Sequence, residues 1–177
     1  MIQILKDPGP SFDEPLEMLA ACHERIEDRL ATLERLSAHL AAKGSDAEAR
    51  AAAQSILRYF DTSGAFHHQD EDEDLFPLLR ARAAERSRDD LCGLIDELGR
   101  EHVTMTGEWQ RLREELAGIT QGEARLDAEG AVRFAGLYRR HMQRETAAVL
   151  PFAREALTLE ERSRLGERMA ARRKTAR

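Results

Sequence analysis

The sequence is poor in the residues that cross-link or interrupt a chain. Its two cysteines, Cys22 and Cys92, form no CxxC pair and each lies in a helical pattern. A reduced cytoplasm therefore fits better than a disulfide scaffold. Of five prolines, Pro8, Pro10 and Pro15 gather near the start, leaving Pro77 and Pro151 inside the patterned region. No apolar run approaches membrane-spanning length, and the opening "MIQILKDPGP" lacks the apolar core of a signal peptide. Positive charge is in deficit: 27 Lys and Arg against 33 Asp and Glu give a net charge of -6 and a pI near 5.6. A general nucleic-acid binder needs the opposite balance. The expected protein is soluble and cytoplasmic, with no membrane and no nucleic-acid partner.

The 177 residues, 42% hydrophobic and 34% charged, are enough for one domain of amphipathic helices with a sizeable core. After an arm over residues 1–12, residues 13–43 carry Leu16, Leu19, His23, Ile26, Leu30, Leu33, Ser37 and Leu40 at spacings of three and four. "KGSDAE" makes a turn. A second stripe then holds Ala49, Ala53, Ile56, Phe60, His67, Glu71 and Leu78. "ERSRDD" precedes a third, from Leu91 through Leu98, His102, Met105, Trp109, Leu112 and Leu116 to Ile119. "TQGEARLDAEG" precedes a fourth, with Phe134, Leu137, His141, Glu145, Ala148 and Phe152. Thr158 with Glu161 reads as a capping box opening a short final helix. The ending "RMAARRKTAR" reads as a frayed, solvated tail, so that residues 158–177 form a short helix and basic tail. The fold expected is all-α: an antiparallel up-down four-helix bundle, one domain over 1–177.

"FHHQDEDEDLFP", residues 66–77, shows which side chains turn inward. At about 100° per residue and with His67 at zero, Phe60 falls near 20° and Glu71 near 40°, so His67 and Glu71 share the core face. His68 falls near 100°, at the edge, while Asp72 and Glu73 point outward and most of the acidic run is a solvated face. The construction recurs in "HMQRETAAVLP" from His141, where the histidine, the Gln two residues on, the Glu four residues on and the Pro ten residues on all coincide. Each His-x-x-x-Glu helix follows a helix with one core histidine, His23 or His102. His39 lies about 160° around its helix from His23, on the wet face, and serves as an internal control.

A lone histidine on an apolar face is usually a hydrogen-bonded core residue. Four of them, one per helix, with two carboxylates at matching offsets, form a metal-ligand set instead. Burying Glu71 and Glu145 without a cation would be costly, and no Lys or Arg on these stripes pairs with them. Six donors exceed what one tetrahedral zinc uses. Imidazole with carboxylate suits iron, with manganese and zinc as rivals. Ferritin-like di-iron bundles use Glu-x-x-His, and no histidine here has a Glu three residues before it.

"CHERIE", "FHHQDEDEDLFP", "EHVTM" and "HMQRE...LP", in this order over nearly the whole chain, resemble the hemerythrin-like HHE cation-binding domain family. The resemblance implies an oxo- or hydroxo-bridged pair of non-heme irons. His23, His67, His102 and His141 would be terminal ligands, and Glu71 and Glu145 bridges. Oxygen carriers of the family have a fifth histidine four residues after the third-helix ligand, where this sequence has Thr106. The match is therefore to the four-His, two-Glu branch, associated with peroxide breakdown, nitric-oxide and oxidative stress, and iron-sulfur repair. The repair proteins usually carry a further cysteine-bearing N-terminal domain, which this sequence does not show. The implied ligand is oxygen, peroxide or nitric oxide, with an electron-donor protein as a further partner, and the role is enzyme, sensor or store.

Neighbouring residues extend the candidate site. Glu27, i+4 from His23, is an extra ligand, a second hydrogen-bonding partner or a surface ion pair. Asp74 could orient a ligand histidine. Thr106, i+4 from His102, is a candidate extra ligand or outer partner, and a histidine placed there would project toward the same metal. Tyr138 could donate a proton, bind metal or simply pack. Pro77 and Pro151 should bend or end their helices just beyond the site.

Overall fold

The computed structural model of the chain describes residues 10–175, so nearly all of the N-terminal arm expected over 1–12 lies outside the described residues. Five helical stretches follow: α1 (Pro15–Lys43), α2 (residues 47–85), α3 (Asp89–Thr120), α4 (residues 128–156) and α5 (Leu159–Thr175). Pro15 starts α1 where a missing N–H costs nothing. Gly44, at φ 70°, ends it by donating its N–H to the Leu40 carbonyl at 3.0 Å. Asp46 caps α2, its carboxylate accepting from the Ala49 N–H at 2.9 Å. The capping box that opens α5 is formed as expected: the Glu161 N–H donates to the Thr158 hydroxyl at 3.2 Å, and the Thr158 N–H to the Glu161 carboxylate at 2.9 Å.

α1 packs on α2, α2 on α3, α3 on α4 and α4 back on α1, which closes a four-helix bundle. Its apolar interior is split in two. One cluster contains Leu30, Ile56, Phe60, Met105, Leu116 and Phe134. The other contains Leu19, Leu75, Leu79, Leu98, Val149 and Leu150. Each bundle helix crosses from one cluster to the other at its predicted histidine: His23, His67, His102 or His141. Among the described residues no helix is long and apolar enough to cross a membrane.

Two of the four helices are not regular. α2 widens into π turns at Phe60–Gly64 and Asp70–Leu75, and α4 at Glu145–Val149. The last two lie immediately ahead of Pro77 and Pro151, so the helices neither stop there nor continue as plain α-helix. Pro lacks the N–H for an i→i-4 bond and crowds the carbonyl four residues back, and a wider turn relieves both. Each π turn also shifts the side-chain register beyond it. The expected inward residues Leu78 and Ala148 are only partly buried, and Leu79 and Val149 take their places. Trp109, expected in the core, is half-buried.

α5 is not the short helix with a frayed tail expected of a basic ending: it runs 17 residues and lies against α1 and the acidic part of α2. Asp70 is fully buried beneath it, bonded by Arg172 and, at 2.7 Å, by Arg173. Arg172 also reaches Glu73 at 2.9 Å and Asp74 at 2.7 Å, and Arg168 reaches Asp74 at 2.7 Å. Much of the acidic run is thus a docking surface rather than a solvated face. The helix approaches the start of α1 so closely that a Cβ on Gly166 would stand 1.8 Å from the Phe12 carbonyl oxygen, a contact only glycine permits. Burial pushes the Asp70 carboxyl above its ordinary range even with both guanidiniums against it. The ion pairs therefore contribute modestly, but removing the anion takes from Arg173 its carboxylate partner, while Arg172 keeps Glu73 and Asp74. We expect Asp70→Ala to cost about 1–3 kcal/mol and to lower the melting temperature by about 3–10 °C. Thermal unfolding followed by circular dichroism checks this; an unchanged midpoint would mean that α5 docks without this clamp.

Candidate metal centre

Where the two apolar clusters meet, four imidazoles and two carboxylates occupy the bundle interior. All six residues expected from the sequence are brought together there, and all are buried. The histidines turn their Nε2 atoms inward. Glu145 Oε2 lies 3.1 Å from His23 Nε2, and its Oε1 lies 3.1 Å from His141 Nε2. Glu71 Oε1 lies 3.5 Å from His67 Nε2, and its Oε2 lies 3.4 Å from His102 Nε2. Each carboxylate thus spans two histidines on different helices. The donor atoms fall into two sets of four, His23, His67, Glu71, Glu145 and Glu71, His102, His141, Glu145, with all atoms of a set within 4.8 Å of one another. Both glutamates belong to both sets. That is the arrangement two bridging carboxylates would need between two cations.

The chemistry of these donors fits metal better than mutual hydrogen bonding. His23 Nε2, His67 Nε2, Glu71 Oε2 and both Glu145 oxygens are buried without a hydrogen-bond partner, although several stand close enough to have one. Leaving so many polar atoms unpaired is costly unless a cation satisfies them. Burial, then the neighbouring Glu145 charge, pushes the Glu71 carboxyl well above its usual range. Burial opposes ionisation of Glu145 too, but the facing imidazoles of His141 and His23, each 3.1 Å away, outweigh it and hold that carboxyl low. Without a cation only one of the pair carries its charge easily. Burial and the adjacent His23 bring His67 down to about 3, so this imidazole stays neutral with its lone pair free for a ligand bond.

Three of the four outward nitrogens have partners of their own, and His67 Nδ1 has none. His102 Nδ1 donates to Asp72 at 2.8 Å, and His141 Nδ1 donates to Glu101 at 2.8 Å, with Arg144 holding the other Glu101 oxygen at 2.7 Å. His23 Nδ1 meets the Thr146 hydroxyl at 3.3 Å. These contacts set the tautomer that leaves Nε2 as the donor. Against expectation Asp72 therefore does not merely face water. Glu101 and Thr146 had no sequence signal, since neither lies on its helix's histidine stripe and both act across helices.

The four neighbouring residues singled out from the sequence lie elsewhere. Glu27 is the surface ion pair among its three readings, bonded by Arg139 at 2.7 Å, and Arg139 also holds Glu34. Asp74 orients no histidine and is taken by Arg168 and Arg172. Thr106 is exposed, and its hydroxyl donates to the His102 carbonyl at 2.9 Å rather than projecting toward the centre. Tyr138 is buried against Phe60 and Phe134, and burial drives its phenol far above the usual range. His39 stays outside the site, 2.9 Å from Asp46 near the α1–α2 turn. His68 was placed at the edge, but its ring stacks on His102 with centroids 4.0 Å apart, and its Nε2 is buried without a partner.

The family model of the hemerythrin HHE cation binding domain matches residues 14–153. An uncharacterized protein of Haemophilus influenzae is 30% identical to this chain over 164 residues, covering 92% of each. The matched span includes all six interior His and Glu residues and stops short of α5.

The outer partners generate a test of the geometry. Glu101→Gln keeps the shape but removes the charge behind His141. We expect metal affinity to fall about 10–100-fold with the fold intact, measured by competition against a chelator; unchanged affinity would show that Glu101 serves Arg144 alone.

Proposed function

From the premise that the chain belongs to the hemerythrin HHE cation-binding domain family, we propose that it holds two non-heme irons and uses them to react with a small oxidant, peroxide above all. The observation that carries this reading is the sharing of Glu71 and Glu145 between the two donor sets. His23 and His67 would hold one iron, His102 and His141 the other, and the two glutamates would bridge. An oxo or hydroxo bridge completes the pair, and manganese or zinc could substitute. Once bound, such a pair supplies two-electron redox chemistry to oxygen, peroxide or nitric oxide.

The chain's own residues support this role in three ways. The apolar clusters on either side keep bulk water from the donors. Asp72 and Glu101 fix two imidazoles and strengthen them as donors. An open groove between α1 and α4, lined by His23, Glu24, Asp28, Arg139, Met142 and Thr146, leads to the one ligand histidine at the edge of solvent, 9% exposed. A small neutral molecule fits such an approach. Two histidines and two shared carboxylates per metal leave positions for an exogenous ligand at both. Position 106 contributes no further donor, which favours turnover of peroxide over reversible oxygen carriage. Such chemistry would suit a protective role in oxidative or nitrosative stress, and two unpaired cysteines suit a reducing cytoplasm.

Anaerobic loading should give about two irons per chain, the number that a pair of bridging carboxylates serves. His67→Ala or Glu145→Ala should lose at least one of them, and His39→Ala should keep both by elemental analysis. Equal loss from the His39 variant would disprove the assignment. The iron-loaded protein should consume hydrogen peroxide over many turnovers, followed with a peroxide electrode. A stable oxygen adduct that reverses under vacuum, without peroxide turnover, would identify a binding or sensing protein instead.

A further inference from the structure

The chain has one tryptophan and two tyrosines, and all three gather on one side of the metal centre. The file starts at His68, stacked on His102 at 4.0 Å and lying against Tyr138 with ring centroids 5.5 Å apart and planes within 18°. Tyr138 touches Phe60 at 5.5 Å and Phe134 at 4.9 Å. Both phenylalanines reach Trp109, at 4.9 Å and 6.0 Å. Every step is therefore 6.0 Å or less, and the middle of the path is doubled. At its outer end Trp109 is half-buried and donates its indole N–H to Asp61 at 3.1 Å, a carboxylate that Arg113 fixes at 2.9 and 3.0 Å. Apolar packing alone explains Phe60 and Phe134. It does not explain a buried imidazole with an unpaired nitrogen at one end, or the indole set against an anion at the other.

We propose that His68, Tyr138, Phe60 with Phe134, and Trp109 form an electron path between the metal centre and the surface, through which an outside one-electron reductant serves the centre. The inference rests on the peroxide reading above. Reduction of one hydrogen peroxide to two waters consumes two electrons and two protons. Each electron leaves the Trp109 indole and crosses the file inward. The oxidised indole passes its N–H proton to the Asp61 carboxylate and is left as a neutral radical, until a donor at the surface returns one electron and the proton goes back to nitrogen. Two such cycles deliver the two electrons for one peroxide, and the two protons are taken up from solvent water, so the net change is one peroxide and two donor electrons with two solvent protons giving two waters. The phenylalanines act as bridging rings and are not themselves oxidised.

The test first oxidises the irons of the loaded full chain, so that they hold no electrons to give, then mixes it with hydrogen peroxide in the absence of reductant, freezes it within milliseconds and records the electron paramagnetic resonance spectrum. Peroxide consumption is measured on the same sample. An indole radical is expected, with oxygen later found on Trp109 by peptide mapping, and neither is expected in the zinc-loaded protein. In Trp109→Phe the radical should be lost with iron content and helicity unchanged, and oxidation of ABTS, a donor too bulky to enter the bundle, should fall severalfold. Peptide mapping of the unaltered chain decides the matter even if the variant misfolds. Peroxide consumed with no oxidised indole overturns this inference alone; a protein that binds iron yet neither consumes peroxide nor forms a radical overturns the functional reading and this inference together.

Discussion

Two glutamates fully enclosed among four imidazoles are the constraint around which the rest of the molecule is arranged. Hydrophobic packing cannot offset two buried carboxylates, and their neighbours are imidazoles rather than Lys or Arg. The bundle answers by dividing its apolar interior in two and leaving a polar layer between. Each helix contributes one histidine to that layer as it passes from one cluster to the other. Glu71 and Glu145 come from the same two helices as His67 and His141, one turn further on, so two helices carry four of the six donors.

Precision in the layer comes from outside it. Asp72 reaches from α2 to a histidine on α3, and Glu101 reaches from α3 to a histidine on α4. The partners are thus borrowed from the preceding helix, so that the orientation of each imidazole depends on the packing of two helices rather than the rotamer of one. α5 acts one step further out. Its arginines hold Asp70, the residue immediately before Glu71, although α5 lies beyond the span shared with the family. A helix that adds nothing to the polar layer thereby holds the backbone next to Glu71.

The donors were legible in the sequence because His and Glu at i and i+4 obey helix geometry over one turn, and because the pattern occurs twice. Capping at Thr158 and Glu161 is likewise local chemistry, and it appears in the structure as the residues announce it. Prediction failed where an even 100° step per residue was carried through a π turn. Beyond Glu71 and Glu145 the inward face slips by one position, from Leu78 to Leu79 and from Ala148 to Val149. His68, between the two widened turns of α2, was misplaced for a related reason, whereas Asp72 is exposed as expected and its bond to His102 is what the period did not show. Contacts between distant helices, such as Glu101 with His141 or Arg172 with Asp70, have no sequence period at all. The basic ending looked like a tail because its partners lie about a hundred residues away.

The widened turns carry a consequence for descent as well as for shape. A π turn holds one residue more than the α-helical path it replaces, so each behaves as a single-residue insertion that the bundle has absorbed without altering the residues on either side. Chains of this architecture can differ by one residue at such a point and still present the same donors. Two of the three widened turns hold the interior carboxylates Glu71 and Glu145, so the added residue falls where a donor must be aimed as well as where a proline follows.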